Sequence, residues 1–396
     1  MAENADKYPK LRFPGFTDAW ERRELGGLGD VLTGNTPPTS DKSNWTDGKN
    51  GFVWITPTDI NGLLISDSER HLSEMGWKKA RTVPTKSVLI TSIASIGKNA
   101  INAVPAAFNQ QINAIVPIRN DAYFILSAMT RDTQRFASLA GQTATAIINK
   151  TEFEKFTISI PSLNEQIAIG RFFTNLDHLI TLHQRECDKT VNIKKALLEK
   201  MFPKDGENKP EIRFPGFTDA WERREFEELV FRVSLQSDEY HLPRVEYEDI
   251  VSGQGQLNKD IFEKKSSKTG IRFEAQDILF GKLRPYLHNW LLPDFTGIAV
   301  GDWWVLRPNE TSHKFIYALI QSAKYQYVSN LSIGTKMPRS DWSVVSKTQF
   351  VVPSDIVEQA KIGMFFVNLD RLITLHQREL KKLQNIKKAL LDNMFA

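Results

Sequence analysis

Thirteen residues, RFPGFTDAWERRE, run from Arg12 to Glu24 and return unchanged from Arg213 to Glu225. A second duplication pairs Arg171–Phe202 with Met364–Phe395, which share NLD, LITLHQRE, NIKKALL and MF. The stretches between them, 25–170 and 226–363, show little likeness to each other. A chain ordered constant, variable, constant, twice over, is tightly constrained. Each repeated block must adopt one structure in both places, so two copies of one surface can hold two copies of one partner, while the divergent blocks recognise different things.

The second repeated block reads as a long helix. Phe366, Leu369, Ile373, His376, Leu380, Leu383, Lys387, Leu390 and Met394 keep the alternating three–four spacing of a coiled-coil seam. The first copy supplies Phe173, Leu176, Ile180, His183, Cys187, Thr190, Lys194, Leu197 and Met201, a seam weakened where Cys187 and Thr190 replace two leucines. Each helix is expected to run about 36 residues, or roughly 54 Å, from near Asn164 or Val357. Neither contains an internal proline, and Pro203, Asp205 and Gly206 stop the first and open a polar linker. Two such helices most economically bury their seams against each other.

At 396 residues the chain suits two globular units of roughly 130–150 residues with connecting elements. An apolar content of 41% describes a folded protein. A single cysteine, Cys187, rules out an internal disulfide and suits a reducing cytoplasm. The opening MAENADKYPK lacks the apolar core of a signal peptide, and no run approaches the roughly twenty apolar residues of a membrane span. A soluble cytoplasmic protein without a membrane partner is expected. A net charge of +4 permits a polyanionic partner without demanding one.

The variable regions read as mixed α and β. Strands are expected at Gly51–Thr56, Ser87–Ser92, Asn113–Ile118, Asp277–Phe280 and Ile298–Leu306, and helices at Asp121–Ser138 and Ser312–Asn330. Asp59-Ile60 echoes Asp249-Ile250, and Gly97-Lys98 echoes Gly281-Lys282, so the two regions should share a fold and differ in their loops.

Four stretches now carry a resemblance: the LRFPGFTDAWE opening, SIASIGKNAI, GKLRPYL, and NEQIAIG or VEQAKIG leading into LITLHQRE and NIKKALL. Together they resemble the specificity subunit of type I restriction–modification systems, over essentially the whole chain. The resemblance implies an α+β fold with a pseudo-two-fold internal repeat. Two mixed α/β target-recognition domains would be separated by two long antiparallel coiled-coil helices. Residues 1–25 would form a conserved segment, 26–160 the first recognition domain and 161–203 the central helix. Residues 204–225 would hold the linker and repeated segment, 226–353 the second recognition domain and 354–396 the C-terminal helix. Each domain would read one half of a split duplex DNA site. The helices would set the half-site spacing and dock two modification subunits, with restriction subunits joining the full complex. This chain would hold no cofactor; S-adenosylmethionine, ATP and Mg would belong to its partners.

Sequence readout needs side chains with paired donors and acceptors on loops, chiefly Arg for guanine and Asn or Gln for adenine. The candidates in the first region are Thr56, Thr58, Lys98, Asn99, Asn109, Gln110, Gln142 and Thr143. Those in the second are Lys282, Arg284, Tyr286, Lys336 and Arg339, with Arg244 and Tyr247 weaker. Each has a plainer reading: the Gly-Lys pairs as hairpin turns with a solvated lysine, and Asn109–Gln111 as a strand-end cap. Candidates for partner docking and the coiled coil are Trp20, Arg22, Trp221 and Arg223, with Leu176, Ile180, His183, Leu369, Ile373, His376, Leu380 and Leu383 on the seam.

No catalytic or metal site emerges. Asn35-Thr36-Pro37-Pro38 mimics a methyltransferase loop but inserts a Thr and lacks the aromatic, and Gly97-Lys98-Asn99 is no phosphate-binding loop. Glu263-Lys264-Lys265, with Asp249 upstream, has the letters of a nuclease triplet, but such triplets are common in charged turns and this one reads as a solvated hairpin. The rival from another class is a duplicated protein-binding scaffold, with Trp303, Trp304 and Trp342 as its aromatic anchors.

Overall fold

The computed structural model describes residues 7–48, 50–140, 146–263, 266–331 and 337–395. The chain divides into two units, one of Met1–Leu182 with Leu380–Ala396 and one of His183–Glu379.

In the first unit, strands Gly29–Thr33, Ile112–Pro117, Val88–Thr91, Asn99–Asn102 and Leu64–Ile65 lie side by side in that order. A second five-stranded sheet runs Trp45–Thr46, Arg70–Leu72, Phe52–Ile55, Ala106–Phe108 and Thr82–Val83. Side chains alternate across a strand, so Val88 and Ile90 enter the cluster containing Phe124 and Met129 of helix Ala122–Arg131. Leu89 points the other way, into the cluster of Val53, Ile55 and Phe108. The second unit repeats this plan with four-stranded sheets. Ile278 and Phe280 join the cluster built on Phe315 and Ile316, while Leu279 joins Val245, Phe273 and Val305.

Three expected elements are interrupted. The helix expected over Asp121–Ser138 forms as Ala122–Arg131 and Thr133–Ala137, and that over Ser312–Asn330 as His313–Leu319 and Ala323–Ser329. In the second case Ser322 begins a new helix by accepting the Tyr325 N–H, a cap that competes with continuing the old one. The strand expected over Ile298–Leu306 is two, Gly297–Ala299 and Trp303–Pro308, because Gly301 takes φ +106° and turns the chain out of the sheet.

The long helices are Leu163–Lys200 and Ile356–Met394. In the first unit Phe173 meets Phe395 and Asp177 accepts from Lys387 at 2.6 Å, so one helix ascends as the other descends. In the second unit Phe202 meets Phe366, and Lys194 bonds both Asp370 and the Gln321 side chain. The two helices therefore pack antiparallel in each unit. The seam is buried or half-buried throughout, with Leu176, Ile373, Cys187, Thr190 and Lys194 buried and Ile180, Leu369, Leu380 and Leu383 half-buried. The His183 and His376 rings face each other with centroids 6.2 Å apart.

The other repeated residues lock each unit to its helix. Arg12 grips Glu165 through two bonds of 2.7 Å, and Arg213 grips Glu358 at 2.5 and 2.7 Å. Gln166 accepts the Asp121 N–H and Gln359 accepts the Ser312 N–H, holding the start of a domain helix in each case. Gly170 and Gly363 allow that approach, since a Cβ would fall 2.1 Å from Asp121 Oδ1 and 2.4 Å from the Lys314 carbonyl carbon. Burial raises the Asp370 carboxyl above its usual range, and Lys194 pulls it back. Removing one partner of such a pair strands a buried charge, so Asp370→Ala should cost about 3 kcal/mol, measured by urea unfolding. The double replacement Lys194→Met with Asp370→Leu should recover most of that loss; an equal or larger loss would show that the pair does not act as a unit.

Candidate nucleic-acid interface

Each unit gathers the same loops at the ends of its central strands. In the first, the Thr56–Asp59 turn, the loop after Val88–Thr91, Asn109–Gln111 and the segment around Ile147 are tied by backbone bonds. Asn109 N–H donates to the Ile55 carbonyl (3.0 Å), Ser92 N–H to Gln111 (2.8 Å) and Ile148 N–H to Ser92 (2.9 Å). In the second, Lys282 N–H donates to the Asp302 carbonyl (2.9 Å), Arg284 N–H to Pro338 (2.7 Å) and Ser340 N–H to Lys282 (2.8 Å). Isolated bridges join Ile93 to Ile147 and Leu283 to Arg339. Ala94 (φ +61°) and Arg284 (φ +49°) occupy matching left-handed positions.

The turns named by the Asp-Ile echo do correspond. Asp59 accepts the Thr56 N–H at 2.7 Å, and Asp249 accepts the Glu246 N–H at 2.8 Å. The Gly-Lys echo does not. Gly281 faces Trp303 across its sheet as Thr91 faces Ile112, so Gly281-Lys282 matches Thr91-Ser92, and Gly97-Lys98 lies at the far end of its loop.

Several of the expected DNA contacts reach the surface: Thr58, Lys98 and Gln110 in the first unit, and Arg284, Tyr286 and Arg339 in the second. Thr56 and Lys282 are half-buried, the former spending its hydroxyl on Asp59 at 2.6 Å. Others are internal. Asn99 is buried beside Thr130, and Asn109 is buried, donating to the Gln111 side chain at 3.1 Å. Both support the loops instead of facing a ligand. Arg244 is wholly buried and donates to three backbone carbonyls, those of Lys268, Leu242 and Asp238. Its charge is spent on holding the chain. Gln142, Thr143 and Lys336 lie outside the described residues.

Of the docking candidates, Trp20 and Trp221 are core residues, packed edge-on against Phe395 and Phe202 respectively, and cannot meet a partner. Arg22 and Arg223 are exposed on the short strands Glu21–Glu24 and Glu222–Glu225. Trp303 and Trp304 are buried, and Trp342 packs against Trp304 and Phe226, so the anchors of a protein-binding scaffold are absorbed into the core. Asp249 is fully buried in its turn and pairs with Lys259 at 2.8 Å, which removes it from a nuclease centre; Lys264 and Lys265 fall outside the described residues. Among the described residues no group of three His, Cys, Asp or Glu could hold a metal ion. Among those same residues no helix is long and apolar enough to cross a membrane.

The two surfaces differ in chemistry. The first presents the Thr58 hydroxyl, the Gln110 amide and Lys98, with Gln111 half-buried behind them. The second presents Arg284, Tyr286 and a cluster in which Lys282 and Arg339 both approach the Asp302 carboxylate. Asp302 was hidden from sequence reasoning because it sits in the break of an expected strand. Burial raises the Tyr247 phenol above its ordinary value, and its hydroxyl donates to the Asp302 carbonyl while accepting the Leu283 N–H. Tyr247 thus binds the loops together instead of contacting a ligand. The buried and exposed amides should separate cleanly in thermal unfolding. Asn109→Ala leaves the Gln111 side chain and backbone N–H without their partner and should cost about 1–3 kcal/mol, whereas Gln110→Ala should stay within about 0.5 kcal/mol of the parent.

A family model for the type I restriction modification DNA specificity domain matches residues 17–191 and 246–385. The type I restriction enzyme HindI specificity subunit of Haemophilus influenzae is 32% identical over 36% of this chain, a match spanning 32% of that relative's length. The MjaIX specificity subunit of Methanocaldococcus jannaschii is 23% identical over 95% of this chain and 92% of its own. Among solved structures, the S subunit from M. genitalium superposes with a TM-score of 0.62 at 15% identity, covering 98% of this chain and 99% of that one. A chain from a structure describing complex assembly and conformational transition of the type I R-M system gives a TM-score of 0.50 at 13% identity, covering 96% and 98%. With the family model matching most of the chain in two stretches, one in each half, the chain belongs to the family of type I restriction–modification specificity subunits.

Proposed function

We propose that this chain is the non-catalytic DNA-specificity subunit of a type I restriction–modification complex, each unit reading one half of an asymmetric bipartite duplex site. The observation that carries this reading is the pairing of one loop framework with two different sets of side chains. Duplicated backbone bonds hold the loops together in each unit, while the exposed groups are a hydroxyl, an amide and one lysine in the first and two arginines with a tyrosine in the second. A shared scaffold with divergent donors and acceptors is what reading two unlike half-sites requires.

Two copies of the modification subunit would dock on the repeated surfaces. The long helices leave Leu179, Leu182 and Ile386 of the first unit and Leu372, Leu375 and Ile193 of the second between 40% and 55% exposed. These are the same three residues of the repeat in each unit, and apolar side chains on a helix face favour burial by a partner. S-adenosylmethionine, ATP and Mg would be held by the partner subunits, with restriction subunits completing the assembly. A helix of 38 residues spans about 57 Å, so the helix pair would set how many base pairs between the half-sites go unread.

Base-resolution mapping of adenine methylation tests the reading in cells carrying the modification subunit with or without this chain. A split motif that appears only with the chain is expected, and exchanging residues 226–353 for those of a relative should alter one half of it alone. Changes in both halves would show that the units do not read independently; no chain-dependent motif would favour the scaffold alternative. Leu179→Glu with Leu372→Glu should abolish co-purification with the modification subunit while leaving the thermal midpoint of the free chain unchanged.

A further inference from the structure

We infer that Arg339, held by Asp302, is the side chain through which the second unit selects a guanine in its half-site; this rests on the DNA-reading role proposed above. Arg339 directs Nε and Nη2 at the two oxygens of Asp302, at 3.4 and 3.2 Å. A guanidinium is planar and has two usable edges. With the Nε/Nη2 edge occupied, the Nη1/Nη2 edge remains, offering two parallel N–H donors from a side chain that is 52% exposed. Guanine is the base whose major-groove edge presents two adjacent acceptors, O6 and N7, to such a fork.

The arrangement is held from several sides. Arg339 forms a β-bridge with Leu283, and its neighbours Pro338 and Ser340 bond Arg284 and Lys282 through the backbone. The buried Ser340 hydroxyl donates to the Ser329 carbonyl at 2.7 Å. Asp302 is fixed by its own carbonyl, which accepts from Lys282 N–H and from the Tyr247 hydroxyl. An arginine restrained in this way loses less conformational freedom on binding than a free one. Lys282 Nζ lies 3.6 Å from the same carboxylate, so two cations share one anion and the cluster keeps a net positive charge suited to DNA. In the first unit Gln111 takes the place of Asp302, so this carboxylate-held arginine belongs to the second unit alone.

The test compares the parent chain with Arg339→Ala, Arg339→Lys and Asp302→Asn, each assembled with the modification subunit, by methylation mapping and by binding to duplexes changed one base pair at a time. In all three variants discrimination should fall about tenfold or more at one shared guanine position of one half-site, with the other half-site unaffected. Lysine should not rescue, because a single tetrahedral ammonium cannot give one parallel donor pair to Asp302 and a second to guanine, and Asp302→Asn should act as a positioning defect at that same position. An unchanged motif in Arg339→Ala would overturn the inference. So would a uniform loss across all sequences, which identifies a phosphate contact. Absence of any chain-dependent motif in the parent would instead sink the DNA-reading role itself.

Discussion

One lysine–aspartate pair in the helix seam of each unit sets the frame for everything else. Lys194 meets Asp370 in the second unit, and Lys387 meets Asp177 in the first. These four residues are two positions of the repeat, each used twice, and all are largely withdrawn from water. A charge in an apolar seam is tolerated only opposite its counter-charge, so sliding either helix by one turn would break both pairs and strand four ions. The pairs thereby fix the register of an otherwise permissive seam that includes Cys187 and Thr190. A tyrosine from the domain helix stands near each carboxylate. Tyr123 donates to Asp177 at 2.8 Å, and burial beside Asp370 keeps the Tyr317 hydroxyl protonated. Helix register and domain placement are thus set by the same carboxylate.

From that anchor the order extends outward through the other repeated residues. Arg12 with Glu165, and Arg213 with Glu358, fasten the RFPGF segments to the helix starts. Gln166 and Gln359 hold the first turns of the helices that support the central sheet. The loops at the far ends of those strands are then free to vary. Even there the backbone is specified. Ala94 and Arg284 both sit in the left-handed region, a cost that persists only where surrounding bonds over-determine the conformation.

Much of the architecture was legible in the sequence because it follows from periodicity and repetition. The seam from Phe366 to Met394 obeys one spacing, and its burial follows from that spacing. The central strands are short runs of β-branched and apolar residues, and the expected Ser87–Ser92 and Asn113–Ile118 fall within one residue of Val88–Thr91 and Ile112–Pro117. The candidate interface was less legible. Arg244 carries a cation in a polar stretch, as a DNA contact would, yet backbone carbonyls surround it. Asn99 and Asn109 are amides in polar loop-like stretches, and their burial depends on which strands lie next to them. Trp20 and Trp221 owe their repetition to the core.

The sequence by itself determined that the chain repeats, that its long helices pair along a seam, and that two unlike regions rest on one plan. Those properties depend on residue spacing along the chain, which the sequence states directly. Only the tertiary structure decided which polar residues face outward, and that Arg339 lies against Asp302 across 37 residues of chain. Such contacts depend on where Gly301 turns one strand out of its sheet and on how the bridge between Leu283 and Arg339 is registered. Long-range packing sets both, and no local pattern encodes them.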